Sequence, residues 1–177
     1  MRRFLKPALW TALILVALLD VVLLVGYRLP QEHTASRTLT SKQPPQAVWA
    51  VITDHASEPT WRPGLKQVEH IWDAQRLEMW RETYTNGDTL SFTTTEFQPP
   101  RRMVRLITDQ NIPFGGRWEY IIEPAQNGGS RLTITEQGWV KPPLFRFVSK
   151  YIIGHTKTID EYLQALANRL GEAAQIS

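Results

Sequence analysis

The sequence predicts an α+β protein in which one transmembrane helix precedes a curved antiparallel sheet of about seven strands packed on a long C-terminal helix. Three observations support this. Residues 8–27 form an almost unbroken apolar run, and residues 65–140 mostly alternate apolar and polar side chains between turn signals. From Leu144 onward the apolar side chains recur at three- and four-residue steps instead. The apolar face of the sheet and the apolar stripe of the helix must both be buried away from water, so we expect them to pack together.

The apolar run at residues 8–27 has the length of about 20 residues that a helix needs to cross a bilayer. A cleaved signal peptide is the competing interpretation, but residues 24–30 lack a small-residue processing site. We therefore interpret the run as an uncleaved, single-pass anchor in the cell membrane. The isolated Asp20 is interpreted as a tolerated off-centre charge, with a contact between helices as the alternative. The basic N-terminal flank favours an extracytoplasmic domain, although Arg28 and later cations make the bias small.

Charge separates the anchor from the rest of the chain. Residues 1–30 hold four Lys and Arg against one acid, which leaves 16 basic and 16 acidic side chains in residues 31–177. A neutral domain without a basic cluster argues against nucleic acid as a partner. The absence of cysteine is compatible with either side of the membrane.

Residues 44–71 predict a short helix, a turn and a strand in succession. Two prolines suit the first helical turn, and Val48 and Ile52 share one helical face. Trp61 lies in a Pro-x-Trp-x-Pro turn, after which side chains alternate as in a half-buried strand.

An edge strand is predicted at residues 33–42, before this unit. The remaining turn signals divide the chain into further strands at residues 65–72, 76–85, 89–97, 102–109, 116–123 and 131–140. A single helix follows from Leu144 to Leu170, and Gly171 is placed to end it.

These segments carry a family resemblance. The first part of the domain resembles the start of the START-like and polyketide cyclase (SRPBCC) superfamily. The resemblance lies in a polar strand, the pattern apolar-Trp-apolar-apolar-Thr-Asp, the Pro-x-Trp-x-Pro turn and a strand with Val-Glu, in that order. Residues 130–140 resemble the family's final strand. The resemblance implies a helix-grip fold with a cavity between sheet and helix, and a hydrophobic small molecule or lipid as ligand. The expected organisation is a basic tail, the span, a linker, the START-like domain and a tail, at residues 1–7, 8–27, 28–33, 34–171 and 172–177.

Strand alternation predicts which side chains face the interior. In the fifth strand it points Val104 and Leu106 inward and Arg105 toward solvent. Aromatic walls with a few polar groups are typical of small-molecule sites, and a solid core is the alternative. The predicted ligand-binding residues are Trp61, Trp80, Tyr84, Phe92, Trp118, Tyr120, Glu136, Phe147 and Tyr151.

Glu136 and Glu82 are the two acids predicted to face inward, so each must be paired, hydrogen-bonded or protonated. Either one is a candidate proton-transfer group in a cyclase or dehydratase type of enzyme. A structural bond from Glu136 to Arg117 or Arg131, or to the turn around Trp61, is the alternative. The four histidines lack metal-ligand spacing, and no catalytic or cofactor motif is present, so no cofactor or metal is predicted. This favours a binding domain over an enzyme, with a filled-core interaction protein of a membrane complex as a third hypothesis.

Overall fold

The computed structural model describes residues 2–72 and 78–177, with the backbone alone for residues 2–8 and Asn127. Within these residues, four α-helices, eight strands and three short turns follow one another. In order they are α1 (Arg2–Arg28), β1 (Glu32–Ser41), α2 (Pro45–Thr53), a 3-10 turn (His55–Thr60), β2 (Leu65–Trp72), β3 (Glu78–Tyr84), β4 (Thr89–Gln98), β5 (Arg102–Ile107), β6 (Phe114–Pro124), a 3-10 turn (Gln126–Gly128), β7 (Ser130–Val140), α3 (Pro143–Val148), a π turn (Ser149–Ile153), α4 (Lys157–Arg169) and β8 (Gln175–Ile176).

The strands form one antiparallel sheet in the order β2-β3-β4-β5-β6-β7-β1-β8. Strands β2 to β7 form the expected meander, and β1 pairs with β7 along its whole length, from Glu32 opposite Trp139 to Ser41 opposite Ser130. The eighth strand is two residues of the segment expected to be a tail, and it pairs with β1 at the sheet edge. The α+β helix-grip prediction is confirmed.

The core lies between one face of the sheet and helices α2 and α4. Proline opens α2, as predicted, and its apolar face is buried. The α4 stripe is buried against the same sheet face, with Leu163 and Leu166 fully enclosed. Burying each such side chain stabilises the fold by about 1.5–3 kcal/mol, so these two faces hold the sheet and helices together.

The C-terminal helix is broken, which corrects the prediction of one helix from Leu144 to Leu170. Gly154 has φ +84°, a conformation that L side chains rarely adopt, and its amide donates to the Ser149 carbonyl at 2.9 Å. The π turn therefore ends there, and α4 starts anew at Lys157. Gly171 has φ +76° and follows the last turn of α4, as predicted.

The fifth strand faces the other way from the prediction. Arg105 lies opposite Thr94 on β4 and Trp118 on β6, so it points to the concave face, and only 4% of it is exposed. Leu106 is exposed on the outer face. A bulge in β4 between Thr94 and Glu96 changes the alternation of that strand, and two buried carboxylates make an inward arginine stable.

Helix α1 contains the one described segment long and apolar enough to cross a membrane, Leu9–Arg28. An N-terminal signal sequence has the same features. The helix ends close to the sheet, because β1 begins after only three further residues, and α1 packs against α3. The packing holds α3 directly against the end of the apolar helix.

Candidate ligand cavity

A cavity of about 510 Å³ lies between the concave face of the sheet and the C-terminal segments. This volume is within the range of about 300–1,000 Å³ typical of small-molecule sites. Strands β3 to β7 supply one wall, and α3, the π turn and α4 supply the other. Phe114, Phe145 and Ile153 line the cavity and are also solvent-exposed, so they mark its entrance.

Five of the nine predicted ligand-binding residues line this cavity. They are Tyr84, Phe92, Trp118, Tyr120 and Glu136. They come from β3, β4, β6 and β7, because antiparallel register brings alternate side chains of neighbouring strands onto one face. Their contact with a ligand stays a prediction.

The other four predicted residues are not among the lining residues. Trp61 packs edge-on against the Tyr162 ring at 5.5 Å, and Trp80 lies against the rings of His55 and His70. Phe147 and Tyr151 contact each other at 5.1 Å on the segment beside the entrance.

One side of the cavity holds a buried ionic cluster around Glu82. The Arg62 guanidinium donates to both Glu82 carboxylate oxygens, at 2.6 and 3.1 Å, and the Tyr84 hydroxyl donates to the same group at 2.5 Å. Arg105 adds a longer bond at 3.4 Å and places its guanidinium 4.7 Å from the centre of the Phe92 ring. Burial and the Glu82 charge raise the pKa of Tyr84, so its hydroxyl stays a donor.

A second carboxylate, Glu58, balances the charge of this cluster. It pairs with Arg62, accepts a hydrogen bond from His55 at 2.7 Å, and lies 3.6 Å from Arg105. Burial alone would raise the pKa of Glu58, but Arg105, the His55 bond and Arg62 together hold it at about 2. Two arginines and two glutamates therefore form a neutral unit inside the protein.

The other side of the cavity holds Glu136. The Trp118 indole donates to it at 2.7 Å, and the His33 Nε2 lies 3.0 Å from its second oxygen. The prediction of Arg117 as a structural partner of Glu136 was wrong, since Arg117 donates to the Gln137 side chain instead. Because β6 lies between the two clusters, Trp118 separates Glu136 from Arg105.

His33 also stacks on His155, with ring centres 4.0 Å apart and planes at 19°. The His155 Nδ1 lies 3.1 Å from the Ser149 hydroxyl. Burial first, and then the neighbouring His33, lower the pKa of His155. Gly138 leaves room for the stack, because a Cβ there would lie 2.6 Å from the His33 ring. An imidazole beside a carboxylate is a combination that enzymes use for general acid–base catalysis.

No group of three or more His, Cys, Asp or Glu side chains is placed to hold a metal ion within residues 2–72 and 78–177. The cavity lining includes the charged or polar side chains of Arg62, Tyr84, Arg105, His33 and Glu136.

Comparison with known proteins identifies the family. The model of a family described as polyketide cyclase / dehydrase and lipid transport matches residues 32–171. The chain belongs to this family. The SRPBCC resemblance inferred from the strand and turn motifs is thereby confirmed. No curated protein matches the sequence.

Solved structures share the fold of this family member at low sequence identity. The aromatase/cyclase Zhui from Streptomyces sp. R1128 has a TM-score of 0.63 and 15% identity, over 79% of this chain and 94% of that one. A START superfamily protein from Mycobacterium smegmatis has a TM-score of 0.60 and 17% identity, over 78% and 97%. Norcoclaurine synthase from Thalictrum has a TM-score of 0.61 and 12% identity, over 78% and 94%. These similarities establish the fold and no activity.

Several charged or polar residues of this family member's cavity were not predicted from the sequence, His155 among them. Arg105 was placed on the outer face, and Arg62 and His33 were not singled out. One signal was available for Arg105, because it is the single charge within the apolar run Met-Val-Arg-Leu-Ile of β5. A lone cation in a buried strand requires a carboxylate partner, which points to an internal ion pair.

Proposed function

We propose that this family member is a membrane-anchored domain that binds a lipid-like or other hydrophobic small molecule in the cavity between sheet and C-terminal helix. The cavity of about 510 Å³ carries the proposal. Aromatic and aliphatic side chains such as Phe92, Ile107 and Val148 form most of its wall, and burial of apolar ligand surface against them would drive binding.

The two polar clusters indicate an amphiphilic ligand. Arg62 and Tyr84 line one side of the cavity, and His33 and Glu136 line the other, with apolar surface around both. An apolar body with one or two hydrogen-bonding groups matches such a site, since a buried donor or acceptor left unpaired would weaken binding.

Lipid extraction tests this proposal. The full chain is purified in its native membrane surroundings, and bound molecules are identified by mass spectrometry. Leu90→Trp places a larger side chain at the cavity wall and should displace the ligand. Leu106→Trp, on the exposed outer face of β5, is the matched control and should retain it. Equal amounts of the molecule in both variants would mean that it is bound outside the cavity.

A cyclase or dehydratase activity is the second candidate, and the bond between Glu136 and His33 favours it. The geometry favours Glu136 over Glu82, because two arginines and a tyrosine enclose the Glu82 carboxylate. Glu136→Gln would then leave binding intact and stop turnover. For a dehydration, the molecule extracted from this variant should be heavier by one water than the one from the unmodified chain. Identical masses would contradict the enzymatic proposal.

The membrane arrangement is part of the proposal. We infer that α1 stays attached as a single span and that the domain lies on the extracytoplasmic side, as the basic N-terminal flank favours. Protease treatment of spheroplasts, whose outer surface is open to the enzyme, should digest the domain, and protection of the domain until the membrane is dissolved would place it in the cytoplasm.

A further inference from the structure

The exposed apolar side chains of the domain gather at the cavity entrance. Outside α1, nine large apolar side chains of the described residues are exposed, and five of them lie within residues 144–153. They are Leu144, Phe145, Tyr151, Ile152 and Ile153, and Ile152 is 70% exposed. Soluble surfaces rarely concentrate large apolar groups in this way, so the segment is a candidate contact surface.

The same segment forms part of the cavity wall. Phe145, Val148 and Ile153 line the cavity, and Phe114 lines it from the start of β6. We call residues 144–153 together with Phe114 the entrance rim. Its exposed apolar surface is continuous with the lining of the cavity.

The apolar helix α1 is fixed to the base of this rim. Gly26 packs so closely on α3 that a Cβ at its position would lie 2.0 Å from the Pro143 carbonyl oxygen. The Arg146 guanidinium donates to the carbonyls of Leu29 at 2.9 Å and Tyr27 at 3.4 Å. These carbonyls at the helix end lack partners within α1, so buried Arg146 caps the helix and joins it to α3.

The side chains around the rim are those found at membrane interfaces. The Lys150 ammonium lies 5.5 Å from the centre of the Tyr151 ring, and the Lys141 ammonium lies 4.6 Å from that of Trp139. Tryptophan, tyrosine and lysine with apolar stems mark the headgroup level of a bilayer. Lys141 lies near the end of α1, because the Arg146 guanidinium donates to the carbonyls of both Lys141 and Leu29.

We propose that the entrance rim is immersed in the lipid interface beside α1, and that the cavity opens sideways into one leaflet. Continuity with the apolar helix and the belt of aromatic and basic side chains favour lipid as the occupant of this surface. The inference rests on the proposed membrane span and holds for any ligand. A hydrophobic molecule would then enter from the membrane without crossing water.

Depth-dependent quenching tests the inference. The chain has no cysteine, so Ile152→Cys provides one labelling site on the full protein in phosphatidylcholine nanodiscs. Lipids brominated on the acyl chain should quench a fluorophore at position 152 while iodide in water does not. Val16→Cys within α1 should be quenched by lipid in the same way, and Phe97→Cys on β4 should respond to iodide alone. Both sites are exposed in the folded chain.

The contact between α1 and α3 at the base of the entrance rim is tested by changing one residue on each helix. Gly26→Ala adds the methyl group that collides with Pro143, and Arg146→Gln removes the helix cap. Either variant should reduce lipid quenching at position 152 without changing it at position 16. Val21→Ala, an exposed position on the same helix, is the control and should have no effect.

Each outcome bears on one proposal. Iodide quenching at position 152 without lipid quenching would overturn the immersed rim. Shielding from both quenchers would overturn it as well, because it would show protein covering the rim. Loss of lipid quenching at position 16 would remove the membrane span on which the inference rests. Lipid quenching at both positions in protein from which no ligand can be extracted would support the rim and contradict the proposed ligand-binding function.

Discussion

Glu58→Gln is the sharpest test of the buried ionic cluster. Glu58 is fully buried and bonded to His55 and Arg62, with Arg105 at 3.6 Å. The substitution keeps the size of the side chain and removes its charge. Arg62 and Arg105 would then share the single carboxylate of Glu82, which leaves one buried positive charge without a partner.

The expected loss of stability follows from the pKa of Glu58. Its value falls from an ordinary 4.5 to about 2 in the folded protein. Each pKa unit corresponds to about 1.4 kcal/mol, so the charged form contributes on the order of 3 kcal/mol to folding at neutral pH. Removing one partner of a buried ion pair costs about 3–5 kcal/mol in other proteins, which agrees with this value.

The pH dependence has a definite sign. Because the folded state lowers the pKa of Glu58, its contribution is complete above about pH 4.5 and is lost as the pH falls toward 2. The difference in unfolding free energy between the unmodified chain and Glu58→Gln should therefore shrink over that interval.

Urea unfolding of the full chain in detergent, followed by tryptophan fluorescence, measures this difference at several pH values. Glu96→Gln is the matched control, because Glu96 pairs with Arg102 at the surface, where an ion pair contributes less than about 1 kcal/mol. A loss at neutral pH no larger for Glu58→Gln than for Glu96→Gln would refute the reasoning. A loss that does not change with pH would refute it as well.

Three further substitutions probe the backbone and the Glu136 cluster, each measured by urea unfolding. Gly138→Ala should displace His33 and lower the unfolding free energy, because the new Cβ would lie 2.6 Å from the His33 ring. Combining it with His33→Ala removes that ring, so recovery of stability in the double variant would confirm the collision. Trp118→Phe removes the indole donor to Glu136 and should lower the unfolding free energy by about 1.5–3 kcal/mol. Unchanged stability would contradict this expectation. Gly154→Ala has open space but φ +84°, so a loss of about 1–3 kcal/mol is expected, and no loss would show that the turn relaxes.

Local signals in the sequence account for most of the fold. Paired turn residues separate the strands, and proline and glycine mark the ends of α2 and α4, because these residues restrict or extend the backbone angles directly. The meander follows, since consecutive strands joined by short turns pair with each other. The long-range pairing of β1 with β7 was not predicted, because no local signal specifies it; β1 was expected at the sheet edge, and it lies between β7 and the two-residue β8.

The errors lie where tertiary contacts outweigh local pattern. The apolar spacing continues through Gly154, so periodicity alone cannot show that this glycine adopts a positive φ and breaks the helix. In β5, Val104 and Leu106 have the alternation of an inward face, but the register with β6 and the carboxylates of Glu58 and Glu82 turn Arg105 inward. Such partners are distant in sequence and become visible only in three dimensions.

The residues of the candidate site likewise divide into those that local sequence pattern predicts and those that depend on distant contacts. Tyr84, Phe92 and Trp118 were predictable because strand alternation places large aromatic side chains on a common face. The stack of His33 on His155 was not, because it joins two residues more than a hundred positions apart and depends on the space left by Gly138. Predicting it requires the register of β1 against β7.

The short connection between α1 and β1 limits how far the domain, and the cavity within it, can move relative to α1. Three residues separate the two elements, and Arg146 holds the helix end, so the domain has almost no freedom to swing or rise. With α1 as the proposed membrane span, the protein would be unable to carry a ligand to a distant membrane as a soluble transfer protein does. Any molecule it holds would have to be loaded and collected by components diffusing within the same bilayer.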